Sequence, residues 1–277
     1  MPCRHAHWWL LALFPLIVIA FWPNYLGRLM QAPFALHAHG LTATAWLLLL
    51  AGQSWSIHTR RRTWHRMAGL ATFVILPLFA AAGPLALQGM ALLWRARADP
   101  FHATYGARLV IVDMIAGPAV VALVAYAFVN RRDVTKHAAA MLATGLLVLP
   151  PIIGRILPAL PGFPHGAWTG LGGFWLGFHL AEGLTLAIAL WLAARTPAGR
   201  PGFGFAAAAT IGEMVGYQTI GATKAWEQWI VVFTGIPAIP MALAGGLATA
   251  TVLLWAWRTV PPRPGRPRPG IAATAVA

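Results

Sequence analysis

The chemistry open to this chain rests on four histidines, His39, His65, His137 and His179, three carboxyl residues, Asp113, Glu182 and Glu213, and one arginine, Arg155. All lie inside or beside runs of mostly apolar residues, many about twenty long, enough to cross roughly 30 Å of hydrocarbon at 1.5 Å per residue. An ionisable side chain at the bilayer centre costs roughly 2.5–3.5 kcal/mol on insertion scales, so such residues usually have a partner or a task. Two tasks suit the set. Neutral imidazoles on facing helices can ligate haem iron from opposite faces, and carboxyls near a histidine at mid-membrane can carry protons.

Spacing sorts these residues by depth. His65 lies beside Arg60, Arg61, Arg62 and Arg66, and His137 follows Arg131, Arg132 and Lys136. Each opens an apolar run entered from the same side, so the two imidazoles begin parallel helices at one depth. Six-coordinate haem b requires such a pair, and the neighbouring arginines suit its propionates. The plain alternative is an interfacial histidine that only contacts lipid headgroups. On the other side, His39, Asp113, Arg155, His179 and Glu182 are available. His179 and Glu182 are spaced i, i+3 and share a helix face. A second haem on His39 and His179 is one expectation, against which stands a depth offset of up to about 10 Å at 1.5 Å per residue. A proton relay or a small metal site built from His39, His179, Asp113 and Glu182 is the alternative. Asp113 with Arg155 reads as an ion pair that fixes helix packing.

The elements that must hold these residues are helices. Of 277 residues, 59% are hydrophobic and 9% charged, with a mean hydropathy of +0.68. A globular protein carries about 25% charged residues, so little of this surface is meant for water. The expected fold is all-α, a polytopic transmembrane helix bundle of about eight spans, near 8–26, 36–57, 67–93, 107–129, 137–160, 169–194, 203–221 and 236–257. It forms a single transmembrane domain over 1–258, followed by a disordered Pro/Arg-rich tail over 259–277. The first run also has the outline of a signal peptide, but no small-residue cleavage site follows it, and a retained helix is expected. Glu213, Tyr217 and Gln218 dilute the seventh span, and Lys224–Trp229 suits a short interfacial segment. Pro150 and Pro151 mark a kink, and the Gly172–Gly173 and Gly245–Gly246 pairs are expected to permit close helix contact.

Basic residues set the orientation. With eight spans, Arg4, the Arg60–Arg66 cluster, Arg131, Arg132, Lys136, Arg195, Arg200, Arg258 and the tail arginines fall on one side. That is fourteen of the twenty Lys and Arg residues, which predicts both termini cytoplasmic. The formal net charge of +14 sits mainly in these short loops, which argues against a nucleic-acid partner. The single cysteine, Cys3, excludes an internal disulfide. No phosphate-binding loop, nucleophile elbow or zincin motif is present.

The stretch His37-Ala-His39-Gly with Ala45-Trp46 and Gln53, then His65-Arg66-Met67-Ala68-Gly69, resembles the paired helices of a group of largely uncharacterised bacterial inner-membrane proteins. So does Thr135-Lys136-His137 with Met141-Leu142-Ala143-Thr144. In layout these are similar to the transmembrane di-haem cytochrome b group, over roughly residues 20–160. The resemblance implies b-type haem on His39, His65, His137 and His179, in the bacterial inner (cytoplasmic) membrane. The chain departs from the four-histidine pattern at Asp113, where a ligand histidine would be wanted. The leading expectation is therefore a multi-pass haem b electron-transfer protein with bis-histidine ligation, a possible membrane haem oxidoreductase. Its partners would be the lipid bilayer and a quinone or redox partner protein. The rivals are a proton-coupled transporter or carrier using a midplane His/Glu/Asp site, and a non-catalytic membrane subunit.

Overall fold

Helices carry the chain from Ala6 to Arg258 in the computed structural model, which describes residues 5–261 and places no strand among them. The elements are α1 (Ala6–Phe21), α2 (Phe34–His58), α3 (Arg62–Leu70), α4 (Thr72–Arg95), α5 (Pro100–Val129) and α6 (Val134–Leu146). They continue with α7 (Leu149–Ile156), α8 (Phe174–Arg195), α9 (Arg200–Gln218), α10 (Lys224–Thr234) and α11 (Ala238–Arg258). Two pairs act as single runs: α3 leads directly into α4, and α6 into α7 across the bend at Pro150 and Pro151. Proline there cannot donate to the preceding turn, so the ladder restarts. The expected disordered tail lies outside the described residues from 262 onward, as do Cys3 and Arg4.

Six runs are long and apolar enough to cross a membrane: Phe34–His58, Arg62–Arg95, Pro100–Val129, Val134–Ala159, Leu171–Arg195 and Ala238–Arg258. The chain is thus a multi-pass helical membrane protein. Helix α1, with 16 residues, is shorter, and α9, diluted by glycine, Glu213, Tyr217 and Gln218, is not among the six. The outward faces carry the apolar residues that lipid requires. Leu48, Val74, Leu78, Leu243 and Leu247 each leave more than half their surface exposed.

Successive runs alternate in direction between two ends of the bundle. His5, before α1, lies against His58 at the close of α2, with ring centroids 4.9 Å apart. Arg131 and Arg132, in the α5–α6 turn, donate to the carbonyls of Val260 and Pro261. Both described chain ends therefore share one end, called here the terminal end. At the opposite end Leu171 N–H donates to the Tyr105 hydroxyl at 2.8 Å, and Gln88 holds the Ile236 carbonyl at 2.6 Å.

Small residues let the helices approach closely. A Cβ on Gly245 or Gly246 of α11 would meet the Ala80 carbonyl of α4 at 2.8 Å or that of Pro77 at 3.2 Å. Gly172 and Gly173 do not serve that purpose. With φ of 58° and 75° they form the left-handed turn that starts α8, a conformation glycine adopts without steric cost. In the core, Trp46 of α2 is fully buried and donates through Nε1 to Thr144 Oγ1 of α6 at 3.2 Å. Both residues belong to the segments that carry the family resemblance. Here they fasten the helix bearing His39 to the helix bearing His137.

Candidate functional site

His65 and His137 meet at the terminal end. Each is the fourth residue of its helix, with its backbone N–H donating to the residue before the helix: His65 to Arg61 O at 3.1 Å, His137 to Asp133 O at 2.9 Å. Their ring centroids are 6.4 Å apart and the ring planes are inclined at 82°. An imidazole nitrogen binds a first-row metal at about 2 Å, and the ring centre lies about 1 Å farther, so two rings facing one another across one ion have centroids about 6 Å apart. The separation is close to that value, and the steep inclination makes the present contact an edge-on one between the two rings. His137 Nδ1 lies 2.9 Å from the Ala127 carbonyl, which only an N–H can approach as a donor. Its Nε2 is left with the free lone pair, the tautomer fixed when the other ring nitrogen donates to a carbonyl. His65 Nδ1 is buried and has no partner, and neither amide atom of the nearby Gln53 has one.

The positions around the pair are less uniform than the sequence implies. Arg131 lies over the Trp257 ring at 4.2 Å and Arg132 holds Pro261, so both tie the end of α11 to the α5–α6 turn. Lys136 faces Asp133 at 3.5 Å. Arg62 and Arg66, on α3 beside His65, take no such contact among the described residues.

The start of α6 is fixed by Asp133, whose carboxylate accepts from the backbone N–H groups of Thr135 and Lys136, each at 3.1 Å. The Lys136 N–H, first among its neighbours, holds this carboxyl below the usual carboxylate range. A lowered carboxyl favours the folded state above the usual range and loses that contribution as pH falls through the lowered value. Asp133→Ala is expected to lower the melting temperature by about 2–4 °C, the response of a domain of this size to one lost cap, while Asp133→Asn retains most of it. Thermal unfolding at neutral pH checks both.

The other histidines expected as haem ligands are not brought together. His39, on α2, packs its ring on Phe79 of α4 at 5.3 Å, with Nδ1 buried and unpartnered. His179, on α8, donates from Nδ1 to the Trp175 carbonyl at 2.8 Å, and the Gln218 amide occupies its Nε2 at 2.7 Å. Helix α2 packs on α1, α3, α4 and α6, whereas α8 packs chiefly on α7 and α9. Nor is the ion pair formed. The only acid–base contacts within 4 Å among the described residues are His102–Asp99 and Lys136–Asp133. Arg155 donates to the Pro151 carbonyl of its own helix at 2.7 Å and lies over Phe21 at 4.7 Å. Asp113 and Arg155 are exposed, and they interact electrostatically without forming an ion pair. Arg155 acts electrostatically on both His39 and Asp113.

Helices α8 and α9 share a polar seam. Glu182 and Glu213 are 0% and 1% exposed and face one another across the interface. Both Glu182 oxygens and Glu213 Oε1 lack a partner, as do the hydroxyls of Thr185, Thr210 and Tyr217. Among the described residues no three histidine, cysteine, aspartate or glutamate side chains are placed to hold a metal ion. The small metal site expected from His39, His179, Asp113 and Glu182 is therefore not assembled.

Glu213, one of the chemistry-bearing residues of the sequence, has i−3 and i+4 neighbours, Thr210 and Tyr217, that trace a polar face with it. Sequence reasoning missed one feature. His5, His7 and His58 converge at the terminal end with ring centroids 4.9, 5.1 and 6.3 Å apart. Only the closing of α1 onto α2 brings them together.

No family model matches the chain, and neither a curated protein nor a solved structure matches it.

Proposed function

We propose that this protein is a membrane electron carrier in which His65 and His137 hold one b-type haem. The observation that carries this reading is the pair itself: two imidazoles with ring centroids 6.4 Å apart at one end of the bundle, with the His137 tautomer set by the Ala127 carbonyl. Two protein donors without a third suit a group that brings its own equatorial nitrogens. When bound, such a haem supplies reversible one-electron chemistry. The chain's own residues orient the ligands, exclude water through the surrounding apolar helices, and offer Arg62 and Arg66 to the propionates. Quinone or a redox partner protein would exchange the electron, and the bacterial inner membrane is the proposed location.

Purified protein, expressed with adequate haem supply, is expected to show b-type bands in a dithionite-reduced minus oxidised spectrum. A colourless protein would overturn the reading in favour of a proton-coupled carrier, which the buried Glu182 and Glu213 support, or of a non-catalytic membrane subunit.

In the proposed topology α1 and α9 also cross, giving eight spans with both termini cytoplasmic and the histidine pair near the cytoplasmic face. A reporter fused after Arg258 should be active only as a cytoplasmic reporter. A periplasmic signal there would remove the eight-span arrangement.

A further inference from the structure

The α8–α9 seam holds more polar groups than its visible hydrogen bonds satisfy. Glu182 and Thr185 lie one turn apart on α8, and Thr210, Glu213 and Tyr217 follow the facing side of α9. All five are buried, at 0% or 1% exposure, and all five have a polar atom without a partner. Two carboxylates cannot both stay charged while facing one another in a membrane interior, because neither has water or a cation to offset the repulsion. A proton held between the two carboxyls removes that repulsion and gives the pair a hydrogen bond across the seam.

We propose that Glu182 and Glu213 form an intramembrane proton-binding site, one proton shared between the two carboxyls and exchanged through Asp113. The surroundings decide for a proton and against a fixed ion pair. Helix α5 contributes Asp113 and, nearer the opposite end, Tyr105 and Arg108, whose guanidinium lies 5.9 Å from the Tyr217 ring. Helix α7 contributes Arg155, engaged by the Pro151 carbonyl, and α8 contributes His179, engaged by Gln218. The titratable groups of α6, Lys136 and His137, lie at the terminal end. No cation forms an ion pair with either glutamate among the described residues. Asp113 is the accessible carboxyl beside the pair, and it interacts electrostatically with both glutamates. Among the described residues it is the acid placed to pass a proton between the exposed surface of the helices and the seam. The inference requires neither haem nor transport, so a colourless protein would leave it standing.

Infrared spectroscopy of the full-length protein in lipid vesicles tests it, because the chain holds only six acidic side chains. At neutral pH the wild type is expected to show a neutral-carboxyl C=O band that shifts in D2O and persists above the pH at which exposed carboxyls ionise. Glu182→Gln and Glu213→Gln should each remove the whole band, since the amide donates to the remaining carboxylate in place of the shared proton. Asp113→Asn should keep the band and slow its D2O shift. A wild-type spectrum without a neutral-carboxyl band would overturn the proposal, even if neither glutamine variant folds. So would a band that survives both glutamine substitutions. A band that disappears on adding sodium chloride would also overturn it, by showing a site for a monovalent cation.

Discussion

Alanine at His65 and alanine at His137 are each expected to abolish the same haem absorbance completely, leaving the protein in the membrane. A six-coordinate site needs both imidazoles, and no third histidine lies within reach of either ring among the described residues. His58→Ala is the control. His58 stands seven residues before His65, but its ring packs on His5 and His7, away from the pair, so its loss should leave the absorbance intact. Haem content measured per folded protein separates the outcomes. Equal content in wild type and both ligand variants would remove the assignment.

Gly202→Leu is expected to cause a large loss of stability. A Cβ at Gly202 would sit 2.8 Å from Ala140 N and 2.9 Å from Ala140 Cα, and backbone atoms of α6 cannot move aside as a side-chain tip can. Overpacking of this kind costs about 1–3 kcal/mol or more. The displacement also pushes on the helix that carries His137, so haem binding should weaken along with stability. Gly204→Leu, two residues on in α9, meets nothing within 4 Å and should be tolerated. Thermal unfolding of the two variants checks the contrast, and equal melting temperatures would contradict the α6–α9 packing.

Much of this architecture was legible before any coordinates. Runs such as Pro100–Val129 and Leu171–Arg195 declare themselves by length and apolarity, because a bilayer demands both. The pairing of His65 with His137 was legible too. Two basic turns at one membrane face, each followed by a histidine, leave the imidazoles at one depth, and packing had only to bring them side by side. The opposite end was harder. Depth along a helix follows from counting, but azimuth does not, and azimuth turns His39 toward Phe79 and His179 toward Gln218. The Asp113–Arg155 pairing failed for the same reason, the Arg155 guanidinium turning to Pro151 and Phe21. Glu213 stood out by its charge within a diluted span, but its azimuth did not. Its partner Glu182 lies more than thirty residues earlier, and only the packing of α8 on α9 reveals that the two face each other.

The most direct test of the central claim is the ferric electron paramagnetic resonance spectrum of the purified protein. Imidazoles from both His65 and His137 would hold a bound haem in the low-spin state and give a low-spin signal. That signal, present in wild type and absent from both His65→Ala and His137→Ala, is the expected result. A wholly high-spin ferric haem, or a low-spin signal that survives loss of either histidine, would contradict it.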